Sequence, residues 1–355
     1  MRALAALAVA VALAGCGSER GAITAGGRVV GDNLTIYASV PEPARGVGRD
    51  MVDASKLAIA QAGGNVGGFG INFVAIGEGS LGAPDPPRVP AAAAEEAIRD
   101  PQVIAVVGAV RSDAALTSLP LFNAAGILLV SPGAGYPGFT APVGAGEPER
   151  WYPSARPTFA RVIGDDVAQA RALLRAAGPG RVAIEGEVGK VASEQVEALS
   201  DAAGSRLVED VRRADAVIYA GGDVRAAQGV AESLVREVPR ATLVFGDELT
   251  RAGLPDRLAR AARRRAVFVT AAPEPGSTPE LRAFETDFEA QFGRAPDPYA
   301  ALTWRATQGV LDALAAAGRR ANLRRVVAER FLASRPPESP FAAFRMRGGA
   351  REYVY

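Results

Sequence analysis

Short runs of apolar, mostly β-branched residues alternate along this chain with longer segments that have helical periodicity. The apolar runs predict strands at 34–40, 71–76, 103–107, 127–130, 181–184, 216–220, 242–245 and 266–269. The segments between them predict helices at 50–62, 91–99, 113–124, 165–177, 191–203, 225–237 and 255–264. Strands separated by amphipathic helices are typical of a parallel sheet covered on both faces.

The predicted elements fall into two series of similar size. Residues 144–157 are rich in proline and aperiodic, and they separate the first series from the second as a crossover would. Three further helices, at 279–291, 300–317 and 323–333, have no strands between them, and two short strand-like runs follow at 341–344 and 352–355. We expect these helices to pack back on the first of two α/β lobes.

The first residues predict export and a lipid anchor. Arg2 precedes an apolar run, residues 3–14, that is too short to span a bilayer but suits the core of a signal peptide. The run ends in Leu-Ala-Gly-Cys, which resembles the lipobox of bacterial lipoproteins, so residues 1–15 would be the signal peptide and Cys16 the lipidated residue. An ordinary secretory signal with an incidental cysteine is the alternative. Residues 16–32, rich in glycine and polar residues, would form a flexible tether.

Composition and charge argue against several classes of protein. The 355 residues carry 40 Lys and Arg against 39 Asp and Glu, and the basic residues are scattered, so a nucleic-acid partner is not expected. The chain has no His and one Cys, which excludes Ser-His-Asp and Cys-His catalysis and metal sites built on His or Cys. We therefore expect neither a metal nor a cofactor, and we expect no enzyme.

Several segments together resemble the type I periplasmic binding proteins for branched-chain amino acids, the leucine-binding family of ABC transporters. They are residues 49–60 with the following Gly63-Gly64, 106–108 with Ser112, 123–127 leading to 131–134, 284–293 and 296–301. The resemblance implies two doubly wound α/β lobes, joined by a three-strand hinge with crossings near Pro157, Ala272 and Ser334. Lobe 1 would comprise 33–157 plus 273–333, and lobe 2 would comprise 158–272 plus 334–355. The ligand would lie in the cleft between them, and hinge motion would close on it.

Two loops of the first lobe carry candidate ligand-binding residues. Arg111 and Ser112 stand where a strand ends and a helix begins, where backbone N–H groups favour a carboxylate. The resemblance implies that Ser112 contacts the ligand's carboxylate; helix N-cap is the alternative role. Gly133, Ala134, Gly135 and Tyr136 follow the next strand at the same sheet edge, where ligands of open α/β folds bind, unless this is a plain Gly/Pro turn.

The second lobe adds two acidic candidates. Asp247 matches an acidic position that pairs with the ligand's ammonium group in the family, and a solvated Asp capping a short helix is the alternative. Asp223 stands where the family often has an aromatic residue, Val188 where it has Tyr, and Gly135 where it typically has Thr. These departures favour a polar solute over leucine, such as an amino acid or an amide. They also leave open a site that has lost its ligand.

The sequence therefore predicts an extracytoplasmic solute-binding protein, lipid-anchored to the cell membrane, that delivers a small polar solute to the permease subunits of an ABC uptake transporter. A binding module that senses a ligand for a receptor partner is an alternative. A lipid-anchored α/β enzyme is a third hypothesis, and the absence of His and of a Gly-x-Ser-x-Gly elbow counts against it.

Overall fold

The computed structural model describes residues 27–42 and 44–355 and contains two six-stranded sheets. The first sheet has the order β2-β3-β1-β4-β5-β6, and its strands are parallel except for the short antiparallel β2. Its strands are β1 (Asn33–Val40), β2 (Asn65–Val66), β3 (Phe69–Gly77), β4 (Val103–Val107), β5 (Leu128–Ser131) and β6 (Phe159–Arg161).

The second sheet has the order β12-β11-β10-β9-β8-β7. Four parallel strands come first along the chain, and an antiparallel hairpin from the end of the chain completes the sheet. The strands are β7 (Val182–Gly186), β8 (Ala216–Ala220), β9 (Thr242–Phe245), β10 (Ala266–Thr270), β11 (Ala342–Arg347) and β12 (Ala350–Tyr353).

Helices cover both sheets, which explains why the central strands are apolar throughout. Every residue of β4 and β8 is buried. The helices are α1 (Gly46–Gln61), α2 (Arg88–Arg99), α3 (Ser112–Ala124), α4 (Asp166–Ala177), α5 (Lys190–Ala203), α6 (Val224–Glu237), α7 (Asp247–Arg251), α8 (Leu254–Arg257), α9 (Arg260–Arg263), α10 (Pro279–Phe292), α11 (Ala300–Ala317) and α12 (Arg324–Ala333).

The late helices pack on the first sheet. Helix α11 lies against α1, β4 and β5, α10 contacts α1, and α12 contacts β4 and β5. Helix α4 contacts β8, β9 and β10 and therefore belongs with the second sheet. We call the first sheet with its helices lobe 1 and the second sheet with its helices lobe 2. The predicted two-lobed α/β architecture is confirmed.

Most predicted elements are present, with differences at their ends. Strands β4, β8 and β9 and helix α11 have the predicted bounds. The helix predicted at 255–264 is two short helices, α8 and α9, because Leu258 and Ala259 have extended backbone between them. Strands β2 and β6 and helix α7 were not among the predicted elements.

The proline-rich segment before β6 packs into lobe 1. Trp151 and Tyr152 are buried in the same apolar cluster as Phe139, and the Trp151 and Phe139 rings meet edge to face at 5.9 Å. Strand β6 pairs with β5, so the chain leaves the first sheet after Arg161, a few residues beyond the predicted crossing at Pro157.

Three segments connect the lobes and contact one another. Ser339 donates its N–H to the carbonyl of Val162 at 2.7 Å and its hydroxyl to the carbonyl of Ala271 at 2.8 Å, and the Gly164 N–H donates back to Ser339 at 3.3 Å. The three connections therefore lie side by side, as a hinge between two lobes requires.

The described chain begins packed against lobe 1. Val29 is fully buried, and its N–H donates to the carbonyl of Asn322 at 2.8 Å. Cys16 and the predicted signal peptide lie outside the described residues. Within residues 27–42 and 44–355, none of the helices combines the length and the apolar character that crossing a membrane would need.

Candidate ligand-binding site between the lobes

The carboxyl ends of the parallel strands in the two lobes meet at one interface. The N–H of Val224 in lobe 2 donates to the carbonyl of Gly82 in lobe 1 at 3.0 Å. The Tyr299 hydroxyl, just before α11, donates to Asp247 Oδ1 at the end of β9, at 2.7 Å. The lobes are therefore in direct contact along the edge where open α/β folds bind ligands.

The predicted loop after β4 is buried and engaged within the chain. Arg111 is the N-cap residue of α3 and no side chain caps that helix, so the N-cap alternative for Ser112 is wrong. Ser112 is the first residue of the helix, and its Oγ accepts a hydrogen bond from the Tyr136 N–H at 3.1 Å. Its hydroxyl thus forms a hydrogen bond between the two predicted ligand-binding loops of lobe 1.

The loop after β5 folds on itself. Ser131 Oγ accepts hydrogen bonds from the N–H groups of Gly133 at 3.1 Å and Ala134 at 2.7 Å. The carbonyl of Gly135 accepts from Arg161 Nη1 at 2.9 Å and from the Asp166 N–H at 2.9 Å. Ala134 and Tyr136 are fully buried. The structure therefore brings this loop to the interface as predicted, with much of its polar backbone already satisfied.

Asp247 is not a solvated cap. The residue is 3% exposed, and Gly246 is the N-cap of α7. Its Oδ1 accepts from the Ala271 N–H and the Tyr299 hydroxyl, each at 2.7 Å, and its Oδ2 lies 3.6 Å from Arg251 Nη1. The carboxylate thus already has two hydrogen-bond donors and one cation from its own chain.

Arg251 was not among the predicted site residues. It follows Asp247 by one helical turn on α7 and is 2% exposed. Its Nη2 donates to the carbonyl of Gly133 across the interface at 3.4 Å, and its guanidinium lies 5.6 Å from the centre of the Tyr299 ring. Its Nε and Nη1 make no hydrogen bond. Arg251 could have been predicted from the sequence, because it stands four positions after an acidic residue that closely follows a buried strand.

Arg111 lies at the same interface and is held by acidic groups. Its Nε and Nη2 donate to the Asp113 carboxylate at 3.0 and 3.2 Å, and its Nη1 donates to the carbonyl of Leu81 at 2.9 Å. Burial opposes its charge, but the carboxylates of Glu248 and Asp113 outweigh burial and raise the pKa of Arg111. Glu248 belongs to lobe 2, so the attraction between Glu248 and Arg111 acts between the lobes.

Two buried carboxyl groups complete the interface. Glu78 directly follows β3; its Oε1 accepts from the Val110 N–H at 2.6 Å and its Oε2 from the Ser39 hydroxyl at 3.0 Å. Burial raises the pKa of Glu78 to about 8. Burial, together with the Glu248 carboxylate, raises the pKa of Asp166 to about 7. A charged residue immediately after a buried strand could have indicated Glu78 from the sequence.

A cavity of about 690 Å³ opens between the lobes beside this cluster. The segments after β1 and β3 line it from lobe 1, and the starts of α6 and α8 with the end of α7 line it from lobe 2. Of the predicted site residues, only Asp223 lines it. The Asp223 carboxylate caps α6 by accepting from the N–H groups of Arg225 at 2.8 Å and Ala226 at 3.0 Å.

A larger cavity, of about 1380 Å³, lies at the opposite edge of the first sheet. It is lined by residues that precede β5 and β6, such as Gly126 and Thr158, together with α12. The interlobe cavity is the better candidate for a ligand because the carboxyl ends of parallel strands face it. In the part of the chain that the structure describes, no group of Asp, Glu, His or Cys is arranged to hold a metal ion.

At the rim of the interface, one lysine bridges the lobes. Lys190, the first residue of α5 in lobe 2, lies 3.1 Å from Glu147 Oε1 in lobe 1 and 5.0 Å from the centre of the Tyr136 ring. The Tyr136 hydroxyl donates to Glu147 Oε2 at 2.8 Å. Burial disfavours the charge of Glu147, but these donors hold the pKa of its carboxyl below the usual value.

No protein-family model and no curated protein sequence matches this chain. Solved structures do match. An ABC transporter substrate-binding protein from Desulfitobacterium hafniense in complex with Leu is 17% identical, with a TM-score of 0.71 over 91% of this chain and 100% of that chain. A leucine-binding protein from Thermotoga maritima is 19% identical, with a TM-score of 0.71 over 91% and 98%. A solute-binding protein from R. palustris in complex with benzoate is 17% identical, with a TM-score of 0.67 over 91% and 95%.

These structures span nearly the whole described chain. At such low identity the likeness concerns the fold, and it agrees with the sheet orders and the three connecting segments described above. The chain therefore has the two-lobed fold of the type I periplasmic binding proteins.

Proposed function

We propose that this protein is an extracytoplasmic solute-binding protein of an ABC uptake transporter, in which the two lobes close on a small polar solute. The observation that carries the proposal is the interlobe cavity of about 690 Å³, bounded by both lobes at the carboxyl ends of their strands. Its volume suits a small molecule, and the adjacent hinge segments would let the lobes open and close.

The similar structures support binding rather than catalysis. They are described as substrate-binding proteins of transporters, and ligands found with them include leucine, isoleucine and benzoate. One fold can host different functions. The proposal of solute binding therefore rests on the cavity and its charges, and the structural likeness is additional support.

We further propose that Cys16 anchors the protein to a membrane and that the lobe faces dock on permease subunits. The support for the anchor is the sequence of the first sixteen residues, and the support for docking is the likeness to substrate-binding proteins of ABC transporters. Replacing Cys16 by Ser should release the protein from the membrane fraction into the soluble fraction of the cell. Continued membrane retention of the Cys16→Ser protein would contradict the lipid anchor.

The first experiment is a thermal-shift screen on a soluble chain that begins at Gly17. This start keeps Val29, which is buried against lobe 1. Amino acids, amides, polyamines, sugars and organic acids such as benzoate form the panel. A ligand at about one hundred times its Kd should add about 2.7 kcal/mol to the free energy of unfolding. A folded protein that no compound stabilises would argue against solute transport and for a protein partner.

A further inference from the structure

We infer that the interlobe cavity binds a small organic anion that carries no ammonium group. This inference rests on the proposed solute-binding function and names the class of solute. It differs from the expectation of an amino acid, because the described lining of the cavity offers cations from both lobes and no free buried carboxylate for a ligand cation.

Arginines dominate the charge of the cavity wall. Arg45 lines it from lobe 1, and Arg225, Arg251 and Arg257 line it from lobe 2. The acidic residues among the described lining are Glu42 and Asp223. The described lining thus contains four arginines and two acidic residues. A guanidinium presents N–H donors in a planar fork that matches a carboxylate oxygen pair, so this wall suits an anion.

Neither of the two carboxylates in the described wall is both fully buried and free of hydrogen bonds. Asp223 Oδ1 already accepts from two backbone N–H groups at the start of α6. Glu42 is exposed to solvent. A ligand ammonium group would therefore enter a positively charged cavity without a free buried counter-charge, which is unfavourable.

The start of α1 adds to the positive potential. Gly46, Val47 and Gly48 at the beginning of this 16-residue helix line the cavity. No side chain caps the helix, and its first turn contains no acidic residue. The positive end of the helix dipole is thus left for an anion to neutralise.

Arg251 supplies an independent indication of an anionic partner. It lines the cavity and is 2% exposed, yet its Nε and Nη1 donate no hydrogen bond. A buried guanidinium with unsatisfied donors is unfavourable, and an oxyanion that entered between the opened lobes would satisfy it. Arg251 also lies 3.6 Å from Asp247, so the buried carboxylate nearest to it already has a cation. A ligand ammonium group would have to displace that guanidinium.

Three matched compounds test the inference on the soluble chain. They are leucine, 4-methylpentanoate, which is leucine without its ammonium group, and 3-methylbutylamine, which is leucine without its carboxylate. Thermal shift and calorimetric titration at constant ionic strength should detect binding of 4-methylpentanoate or another organic acid of the panel. Leucine and 3-methylbutylamine should bind at least ten-fold more weakly than that acid.

Arginine variants locate the site. Arg225 and Arg257 are exposed, so a chain with Arg225→Gln and Arg257→Gln should fold, and it should bind the organic acid at least ten-fold more weakly. Arg240→Gln, on the exposed surface of the same lobe, is the control and should leave the affinity unchanged. Arg251→Met, provided that it melts cooperatively, should also bind the acid more weakly and should discriminate less against leucine.

The outcomes separate this inference from the proposed function. Tight binding of leucine or of the amine, without binding of the acid, would overturn the anion assignment and leave solute binding intact. Acid binding that Arg225→Gln with Arg257→Gln does not weaken would place the anion elsewhere and overturn the site. If no compound of the wider panel binds, the proposed function itself fails.

Discussion

The buried pair of Asp247 and Arg251 shows how one side chain can change the chemistry of a predicted ligand-binding position. The resemblance implied that Asp247 pairs with a ligand's ammonium group. The four-residue spacing of Asp247 and Arg251 was a sequence signal for a pair within the protein, but it counts only if a helix forms there. The pairing depends on the five-residue helix α7, which places the two side chains one turn apart and was not predicted.

The Asp247–Arg251 pair should contribute to stability in a non-additive way. Asp247→Asn keeps an acceptor for Ala271 and Tyr299 but leaves Arg251 as an uncompensated buried charge, which should cost about 3–5 kcal/mol. Arg251→Met on the same background should restore part of that loss because it removes the unpaired charge. Urea unfolding of both single variants and the double variant measures the coupling. Strictly additive losses would show that the two groups do not interact.

The buried carboxyls predict a stability that falls as the pH rises. Glu78 and Asp166 have folded-state pKa values of about 8 and about 7, above the ordinary values of 4.5 and 3.8. Between the ordinary and raised values, the folded protein binds more protons than the unfolded chain does. The contribution of these two groups to the free energy of unfolding should therefore be largest below about pH 4. It should decrease as the pH rises toward 8.

Glu78→Gln tests this pH dependence. A glutamine can still accept from the Val110 N–H and donate to the Ser39 hydroxyl, so the fold should persist. The slope of unfolding free energy against pH between 5 and 8 should become shallower than in the parent protein. Glu95→Gln on the exposed face of α2 is the control and should leave the slope unchanged. An unaltered slope in Glu78→Gln would mean that Glu78 does not titrate in this range.

At the scale of elements, the alternation of apolar runs and helical periods predicted most strands and helices. The central strands are buried on both faces and therefore have continuous apolar sequences, which makes β4, β8 and β9 recognisable. Strand β6 has three residues, and helix α7 has five, so neither contains enough positions to establish a period. The candidate loops were placed at the correct sheet edge for the same reason, since strand ends were predictable.

Two helical glycines should respond in opposite ways to replacement by alanine. A Cβ at Gly48 in α1 would lie 1.7 Å from the carbonyl oxygen of Pro41, so Gly48→Ala must displace the helix start and should cost about 1–3 kcal/mol. A Cβ at Gly229 in α6 meets nothing within 4 Å, and Gly229→Ala should stabilise the protein by about 0.5–1 kcal/mol through helix propensity. Thermal unfolding of the two variants provides the comparison. Equal effects would contradict the close packing of Gly48.

At the scale of the whole molecule, the two lobes are held together by the hinge segments, by the buried charges and by the Lys190–Glu147 pair at the rim of the interface. The late helices without strands between them predicted a return to the first lobe, and the resemblance to the type I periplasmic binding proteins implied the three crossings. It could not predict the closeness of the lobes, which depends on cross-lobe contacts such as that between Arg251 and Gly133.

Lys190 should bias the protein toward its closed form. Its ammonium group is partly exposed, so the pair with Glu147 should contribute about 0.2–1 kcal/mol, and Lys190→Met should raise the ratio of open to closed molecules by at most about five-fold. Small-angle X-ray scattering of the ligand-free protein would detect the change as a larger radius of gyration. Lys56→Met, at the chain's other lysine and within lobe 1, should leave the radius unchanged. A Lys190→Met protein as compact as the parent would show that the rim pair does not hold the lobes together.

The repeated crossing between lobes also constrains when the chain can fold during synthesis. Lobe 1 lacks α11 and α12 until residue 333 has been made, and lobe 2 lacks its β11–β12 hairpin until residue 353. Neither hydrophobic core can close while most of the chain is still emerging from the ribosome, because long-range contacts complete both. Nascent chains that stop before residue 279 should therefore remain sensitive to protease, and a translocation machinery that accepts only unfolded polypeptide would have the whole period of synthesis in which to engage this one.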